Sequence, residues 1–317
     1  MSAELPIEGL SVGHYSDPEG GTGCTVVLAP QGVTASVDIR GGAPGTLETA
    51  LLSPFASVSE LHGVLLTGGS ARGLAAAAGV STFLRERGCG YQTPYARLPL
   101  VTAAVIYDLG VGDSEAFPGP EHAYQAAGNA GRLVEEGSVG VGTGATVGKI
   151  LGATGWMKGG VGLASVHLGD SGAVVRDASG GGGVTVSALS VVNALGDVLD
   201  ERGETLAGAR QDGAFVGAKN VLFGMAAPPS FGSLDNTTLS VVMTDARLDK
   251  LQCAIVARMS HDGLARTIDP VHTPVDGDCV FVLATGVRES TVFQVGAAAA
   301  EAVAMSIRRA VRAARWR

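Results

Sequence analysis

The 317-residue sequence is short of aromatics, of charge and of paired cysteines. Aromatic residues make up 5 % and charged residues 16 %, while hydrophobic residues reach 46 %, a balance that argues against an intrinsically disordered chain. With 48 glycines in place of the missing bulk, closely packed backbone, many turns and small-residue contacts between layers are expected. The four cysteines, Cys24, Cys89, Cys253 and Cys279, contain no CxxC pair, so neither a zinc ribbon nor a disulfide framework is signalled and buried thiols are expected. The six histidines lack HExxH or any equivalent spacing, so neither a metal nor a cofactor is expected.

Positive charge is scarce as well. A net charge of −8 gives no general electrostatic reason to bind nucleic acid. The one basic cluster, RRAVRAARWR, lies at the C-terminal end, where it complements the negative end of a last helix. The opening MSAELPIEGL has neither the basic region nor the apolar core of a signal peptide, and no charge-free apolar run reaches membrane-spanning length. The expectation is a cytoplasmic protein with no membrane partner.

Apolar runs rich in β-branched residues read as strands at Cys24–Ala29, Val33–Ile39, Gly63–Gly68, Val161–Leu168, Val184–Asn193, Thr237–Thr244 and Cys279–Thr285. Helical patterns run between them, over Ser70–Arg87, over Glu121–Glu136 and from about Ser290 onward. Asp245 is expected to cap another helix, in which Leu248, Leu251, Ile255 and Met259 share one face. The stretch Glu204–Asn236 reads as a long irregular loop leading into Asn236 and Thr237. SGGGGV (Ser179–Val184) reads as a hairpin-like turn. Strands and helices mix along the whole length without a dividing linker, which suits a single layered α/β or α+β domain over residues 1–317.

Several motifs mislead. GVGTGATVGKI (Gly140–Ile150) is not a phosphate-binding loop: Thr143 replaces the first glycine and Ile150 stands where a Ser or Thr should bind magnesium. As a dinucleotide fingerprint, GVGTGA lacks both a preceding strand and an acidic residue about twenty positions on. GDSG (Gly169–Gly172) reads as a turn between strands. GGSAR around Ser70 lacks the final glycine of a nucleophile elbow and reads as a tight start to a helix.

The chemistry concentrates at SLDNTTLSVV. A threonine hydroxyl is a poor nucleophile and needs an adjacent base, which an N-terminal threonine supplies in its own α-amine. That amine has a reference pKa of about 7.7–8.0, suited to proton shuttling near neutral pH. NTTLSVV resembles the processing site of the N-terminal-nucleophile aminopeptidases of the L-aminopeptidase/D-esterase (DmpA-like) type, a family that includes β-aminopeptidases and nylon-oligomer (6-aminohexanoate oligomer) hydrolases. The resemblance extends through VDIRGGAPGT, LLTGGSARGL, AAVIYDLG, GTGATVGK, MKGGVGLAS, VVNALGDV and HTPVDGDCVFVLATG. The Lys149 segment is similar to the oligomer-hydrolase branch, and MKGGVGLAS to the aminopeptidase branch.

This resemblance implies a four-layer αββα sandwich, the architecture shared with ornithine acetyltransferases. It implies autocleavage between Asn236 and Thr237 into an α chain 1–236 and a β chain 237–317, with Thr237 as nucleophile. Asp276 and Asp278 match the acidic pair beside the nucleophile; two residues apart in an extended segment, they can point to one side. Lys149 matches a site lysine, Asn193 an oxyanion donor and Tyr107 a substrate-positioning residue. Without the resemblance, DGD reads as a turn, Lys149 as a surface lysine, and His261 and His272 as tempting bases; in this family the amine serves as base, so both histidines are read as structural.

The implied function is a self-processing amide hydrolase, cleaving N-terminal residues from short peptides, amino-acid amides or esters. Endo-hydrolysis of 6-aminohexanoate oligomers is the first alternative, and acyl transfer of the ornithine-acetyltransferase kind the second. A homo-oligomer, commonly a tetramer of processed αβ units, is implied as well.

Overall fold

The computed structural model describes residues 1–169, 174–176, 183–226 and 236–315. Eight strands carry the architecture: β1 (Ser11–Asp17), β2 (Thr22–Ile39), β3 (Glu60–Thr67), β4 (Val101–Val105), β5 (Gly160–Leu168), β6 (Val184–Asn193), β7 (Thr237–Ala246) and β8 (Cys279–Arg288). The main helices are α1 (Ala77–Glu86), α2 (Pro120–Gly128), α3 (Lys250–Ala265) and α4 (Val292–Ala313). Strands are bonded in the order β5-β6-β7-β8-β2-β3-β4, with β1 beside β2. The β7–β8 and β3–β4 pairs are parallel and the other pairs in this order antiparallel.

One ladder makes two sheets because of β2. Its first half, Cys24–Leu28, bonds β3, and Thr34–Ile39 bond β8, with a register slip between Leu28 and Val33. Pro30 and Gly32 fall inside that slip, where Pro30 has no N–H to give and Gly32 takes a φ of 75°. The sequence reads this segment as two strands, and it is one strand crossing from sheet to sheet.

Three apolar layers then define a four-layer αββα sandwich. Val26, Leu65 and Ala103 pack under Val80 and Leu84 of α1 and Ala123 of α2. Val64, Leu66 and Ile106 face Leu189, Leu239 and Phe281 between the two sheets. Val186, Val242 and Val282 pack under Val256 of α3 and Val303 of α4. Along β7 the alternation is strict: Leu239, Val241 and Met243 enter the middle layer and Val242 the helix layer, so both faces are buried. Burying one such Leu or Val side chain is worth about 1.5–3 kcal/mol.

The glycine- and alanine-rich composition is spent on close approach. A Cβ on Gly162 of β5 would stand 2.2 Å from the Ser306 carbonyl of α4, so α4 lies directly on the sheet. The hydroxyls this burial traps satisfy one another, Ser190 bonding Ser240 at 2.8 Å and Ser306 at 2.7 Å.

Some expectations are corrected. The Ser70–Arg87 helix opens with a 3-10 turn, Ser70–Ala76, before α1. The Glu121–Glu136 helix stops at Gly128, and Leu133–Glu135 pairs as a strand with Ser2–Glu4. Asp249, not Asp245, caps α3: its carboxylate accepts the Gln252 N–H at 2.7 Å and the Gln252 side chain accepts the Asp249 N–H at 2.9 Å. Asp245 instead accepts the Thr185 N–H.

On α3, Leu251 and Ile255 are 59 % and 37 % exposed rather than in the core. The Glu204–Asn236 stretch is not irregular where described: it holds short strands and a helix, Ala218–Gly224. Residues 227–235, and most of GDSG and SGGGGV, lie outside the described residues. Strands β1 and β4 had no clear signal in the sequence. Among the described residues, no helix is long and apolar enough to cross a membrane.

Candidate active site

The site forms where the first residues of β7 run beside the segment leading into β8. Thr237 pairs across β6 with Asn193, and on the other side Asn236 bridges Asp276 in parallel. The residue before Thr237 is held on both its N–H and its carbonyl by the 275–277 segment. The Asn236 N–H donates to the Val275 carbonyl at 3.3 Å, and the Gly277 N–H donates to the Asn236 carbonyl at 2.8 Å. The Thr237 hydroxyl donates to that same Asn236 oxygen at 2.5 Å. Asn236 and Thr237 are both buried.

The carboxylates of DGD grip backbone on either side. Asp278 Oδ1 accepts the Thr238 N–H at 2.7 Å, and Asp276 Oδ2 accepts the Thr273 N–H at 2.7 Å. Gly41 lets the VDIRGG segment close over them, since a Cβ there would meet the Asp276 carbonyl and the Asp278 nitrogen, each at 2.3 Å. Burial, and then the neighbouring Asp278 charge, push the Asp276 carboxyl up to about 7; the Thr273 hydrogen bonds and the Lys149 charge pull the other way.

On the β6 side, the Lys149 ammonium donates to Asn193 Oδ1 at 2.6 Å, and the Thr146 N–H donates to the same oxygen at 3.1 Å. Asn193 Nδ2 donates to the Tyr107 carbonyl at 3.0 Å. Lys149 is 5 % exposed, so its reading as a surface lysine fails. Asp108, next to Tyr107, is also buried, and burial pushes its carboxyl up against the bonds it accepts from Gly69 and Thr22. Buried Lys158, which donates to the Thr143 carbonyl, is pushed down by burial to about 8 while Asp108 opposes the shift.

Tyr107 separates two clefts. One, of about 410 Å³, is lined by Asn236 and Thr237 together with Ala43, Pro44, Val105 and Ser70. The other, of about 450 Å³, holds Lys149, Thr146, Asp108 and Trp156. Ser70 has a left-handed backbone, φ 54°, at the cleft wall, so the GGSAR motif shapes this cleft as well as starting a helix.

All seven residues singled out from the sequence, Tyr107, Lys149, Asn193, Asn236, Thr237, Asp276 and Asp278, therefore lie in one connected network. Two contributions went unread. The Gly277 N–H is one, although a glycine between two aspartates beside a strand was the visible signal. Asp108 and Lys158 are the other, both within segments that carry the resemblance. His272, read from the sequence as structural, lies against the acidic pair: its Nδ1 is 2.8 Å from Asp278 Oδ2. Cys24, Cys253 and Cys279 are buried as expected, while Cys89 is partly exposed. Among the described residues, no three His, Cys, Asp or Glu side chains gather as a metal would require.

Comparisons with known proteins place the chain's family and fold. The "uncharacterized aminopeptidase Rv1333" of Mycobacterium tuberculosis is 39 % identical over 345 residues, covering 97 % of this chain and 92 % of the relative. The 6-aminohexanoate-oligomer endohydrolase of Paenarthrobacter ureafaciens is 32 % identical over 291 residues, covering 87 % of this chain and 73 % of that one. In structure, the L-aminopeptidase D-Ala-esterase/amidase of Ochrobactrum anthropi, described as a variant of the Ntn-hydrolase fold, superposes with a TM-score of 0.73 at 20 % identity, covering 99 % of this chain and 88 % of that chain. A Burkholderia sp. β-aminopeptidase gives 0.70 at 22 %, with coverage of 99 % and 88 %. Residues 6–316 match the model of Peptidase family S58, and the chain belongs to that family.

Proposed function

We propose that this family member is a self-processing N-terminal threonine hydrolase acting on amide bonds of short peptides and amino-acid amides or esters. The observation that carries the reading is the double engagement of one carbonyl: the Asn236 oxygen accepts both the Gly277 N–H at 2.8 Å and the Thr237 hydroxyl at 2.5 Å. A backbone donor aimed at a carbonyl stabilises the negative charge that develops on its oxygen during attack.

In the uncut chain, Thr237 Oγ1 attacks the Asn236 carbonyl carbon and loses its proton. The C–N bond breaks as the Thr237 nitrogen gains a proton, leaving an ester. The α-amine is free from that step on; water then hydrolyses the ester, releasing the Asn236 carboxylate and the Thr237 hydroxyl. Residues 1–236 and 237–317 become separate chains of one folded unit.

In turnover the Thr237 amine takes the hydroxyl proton as Oγ1 attacks a substrate amide, then gives it to the departing amine; water hydrolyses the threonyl ester. Asn193, held by Lys149, is the side-chain donor to the oxyanion, Tyr107 positions substrate between the clefts, and the Asp276–Asp278 pair orients the Thr237 ammonium. A cytoplasmic homo-oligomer, a tetramer of cut units, belongs to the same reading. Exposed Leu251 and Ile255 on α3, with Phe293 at the start of α4, supply apolar surface for subunit contact.

A second reading, endo-cleavage of 6-aminohexanoate oligomers, is favoured by the Thr237 cleft. Its described lining is largely apolar and carries no acidic side chain to hold a substrate ammonium. Intact mass tests the first step, with two polypeptides expected from the parent chain and one from Thr237→Ala; a Thr237→Ala protein still divided after Asn236 overturns the assignment. Amino-acid amides set against 6-aminohexanoate oligomers then separate the two substrate classes.

A further inference from the structure

Behind Asp278 a line of hydrogen bonds leads away from Thr237 into the sandwich. His272 Nδ1 lies 2.8 Å from Asp278 Oδ2, His272 Nε2 lies 3.2 Å from His261 Nδ1, and His261 Nε2 lies 3.1 Å from the Asp38 carbonyl oxygen. The far end sets the direction of every bond. A carbonyl only accepts, so His261 Nε2 carries a hydrogen. His261 is fully buried, and burial pushes it down to about 4, so near neutral pH it is uncharged and its Nδ1 accepts. His272 Nε2 must then carry a hydrogen and donate it to His261. What remains is His272 Nδ1 facing a carboxylate oxygen at 2.8 Å, where two bare acceptors cannot stand; a further proton lies between them.

The backbone is bent to make this contact. His272 is in the left-handed region with φ 57°, and its own N–H also reaches Asp278 Oδ2 at 3.1 Å. Ring and main chain of one residue thus converge on a single oxygen, and strain of this kind is retained where surrounding contacts over-determine it. The charged groups around the line are Asp278 and Asp276 on the site side, and Asp38 with its partner Arg40 beyond His261.

We propose that His272, aimed by His261, is a positioning residue that holds a proton against Asp278, cancelling one negative charge of the acidic pair so that Asp276 can ionise beside Thr237. The pair His272–Asp278 then carries no net charge. Two adjacent buried carboxylates do not both ionise readily, and a counter-charge on one eases the ionisation of the other. The proposal rests on Thr237 as nucleophile, and it gives His272 and His261 a part in the same reaction.

Histidine-selective ¹⁵N NMR tests the proton directly, and on the uncut Thr237→Ala chain it does so whether or not any activity exists. The expected spectrum near neutral pH has one imidazole with hydrogens on both nitrogens and a far-downfield Nδ1 proton, absent from the same chain carrying His272→Asn. A His272 with a bare Nδ1 overturns the proposal. Kinetics on cut enzyme give the second arm, because His272→Asn keeps an N–H for Asp278 but no proton that neutralises it, whereas His272→Ala keeps neither.

The expected result is a kcat about tenfold or more below the parent in His272→Asn, with KM within about twofold, since His272 touches no substrate. Recovery of the parental kcat in His272→Asn overturns the proposal by making the hydrogen bond alone sufficient. If His272→Ala does not fold, His272→Asn still decides. A parent chain that is never cut removes the proposed function and leaves the NMR result standing by itself.

Discussion

Gly277 donates its main-chain N–H to the Asn236 carbonyl at 2.8 Å, and its α-carbon faces the Thr237 hydroxyl so closely that a Cβ added there would stand 2.7 Å from Thr237 Oγ1. In the proposed self-cleavage one residue thus does two things: it polarises the scissile carbonyl and leaves room for the attacking oxygen. A glycine between the two aspartates follows from both.

Gly277→Ala should fold and remain uncut, because the methyl group displaces the hydroxyl from its carbonyl. Displacement of a reacting atom by about 1 Å can cost about 100-fold in rate. Intact mass over time after purification measures this, with circular dichroism to confirm folding. Cleavage at the parental rate in Gly277→Ala would remove the close contact from the mechanism.

Lys149→Met keeps the length and apolar stem of the side chain and removes the ammonium that bonds Asn193 Oδ1 at 2.6 Å. The Asn193 amide then loses the charged group that orients it, and in its proposed role as oxyanion donor a misaligned amide should cost about 100-fold in kcat. The Lys149 charge is also one of the influences holding Asp276 down, so its loss should move the acid side of the pH–rate curve to higher pH. Kinetics on the fraction that has been cut would check both effects; an unmoved acid limb would break the link between Lys149 and Asp276.

Leu251→Asp with Ile255→Glu, on the exposed face of α3, should reduce the proposed homo-oligomer to a smaller species by setting charge into the apolar surface proposed for subunit contact. Light scattering on a sizing column reads the mass. If the double variant keeps the parental oligomeric mass, the interface lies elsewhere; if the parent itself runs as a single αβ unit, the proposed oligomer is wrong.

That same helix marks where the sequence stopped being legible. Its existence and length could be read from periodicity, but the apolar residues at 251 and 255 follow the helical spacing without facing the core, and spacing cannot say which partner covers a face. The sequence reads Asp245 as the cap; the Gln252 side chain, reaching back to the Asp249 N–H, makes Asp249 the cap instead. The strands of the site, β6, β7 and β8, were read almost to their ends because β-branched runs there are bounded by turn residues. What pairs across them was not readable. The Asn193–Thr237 pairing and the Gly277–Asn236 bond join residues 44 and 41 positions apart, and His272 needed a left-handed backbone that no local pattern announces.

Asp276 ties the site to the stability of the fold. Its carboxyl, ordinarily near 3.8, is raised to about 7 in the folded chain, first by burial and then by Asp278. Between those two values the folded chain binds more protons than the unfolded one, so its stability falls as pH rises through this window and levels off above it. The contribution is fully present below about pH 4 and gone by about pH 8. Asp276→Asn cannot ionise and escapes the loss. Placed in the uncut Thr237→Ala background, so that maturation does not intervene, it should be more stable than its parent at about pH 8 by about 2–4 kcal/mol, with the difference shrinking towards zero near pH 4. Urea midpoints of the two chains across this range measure it, and other titrating groups cancel in the comparison. A difference that stays constant with pH would mean that Asp276 ionises in the folded chain as freely as in water, and that burial does not raise its carboxyl.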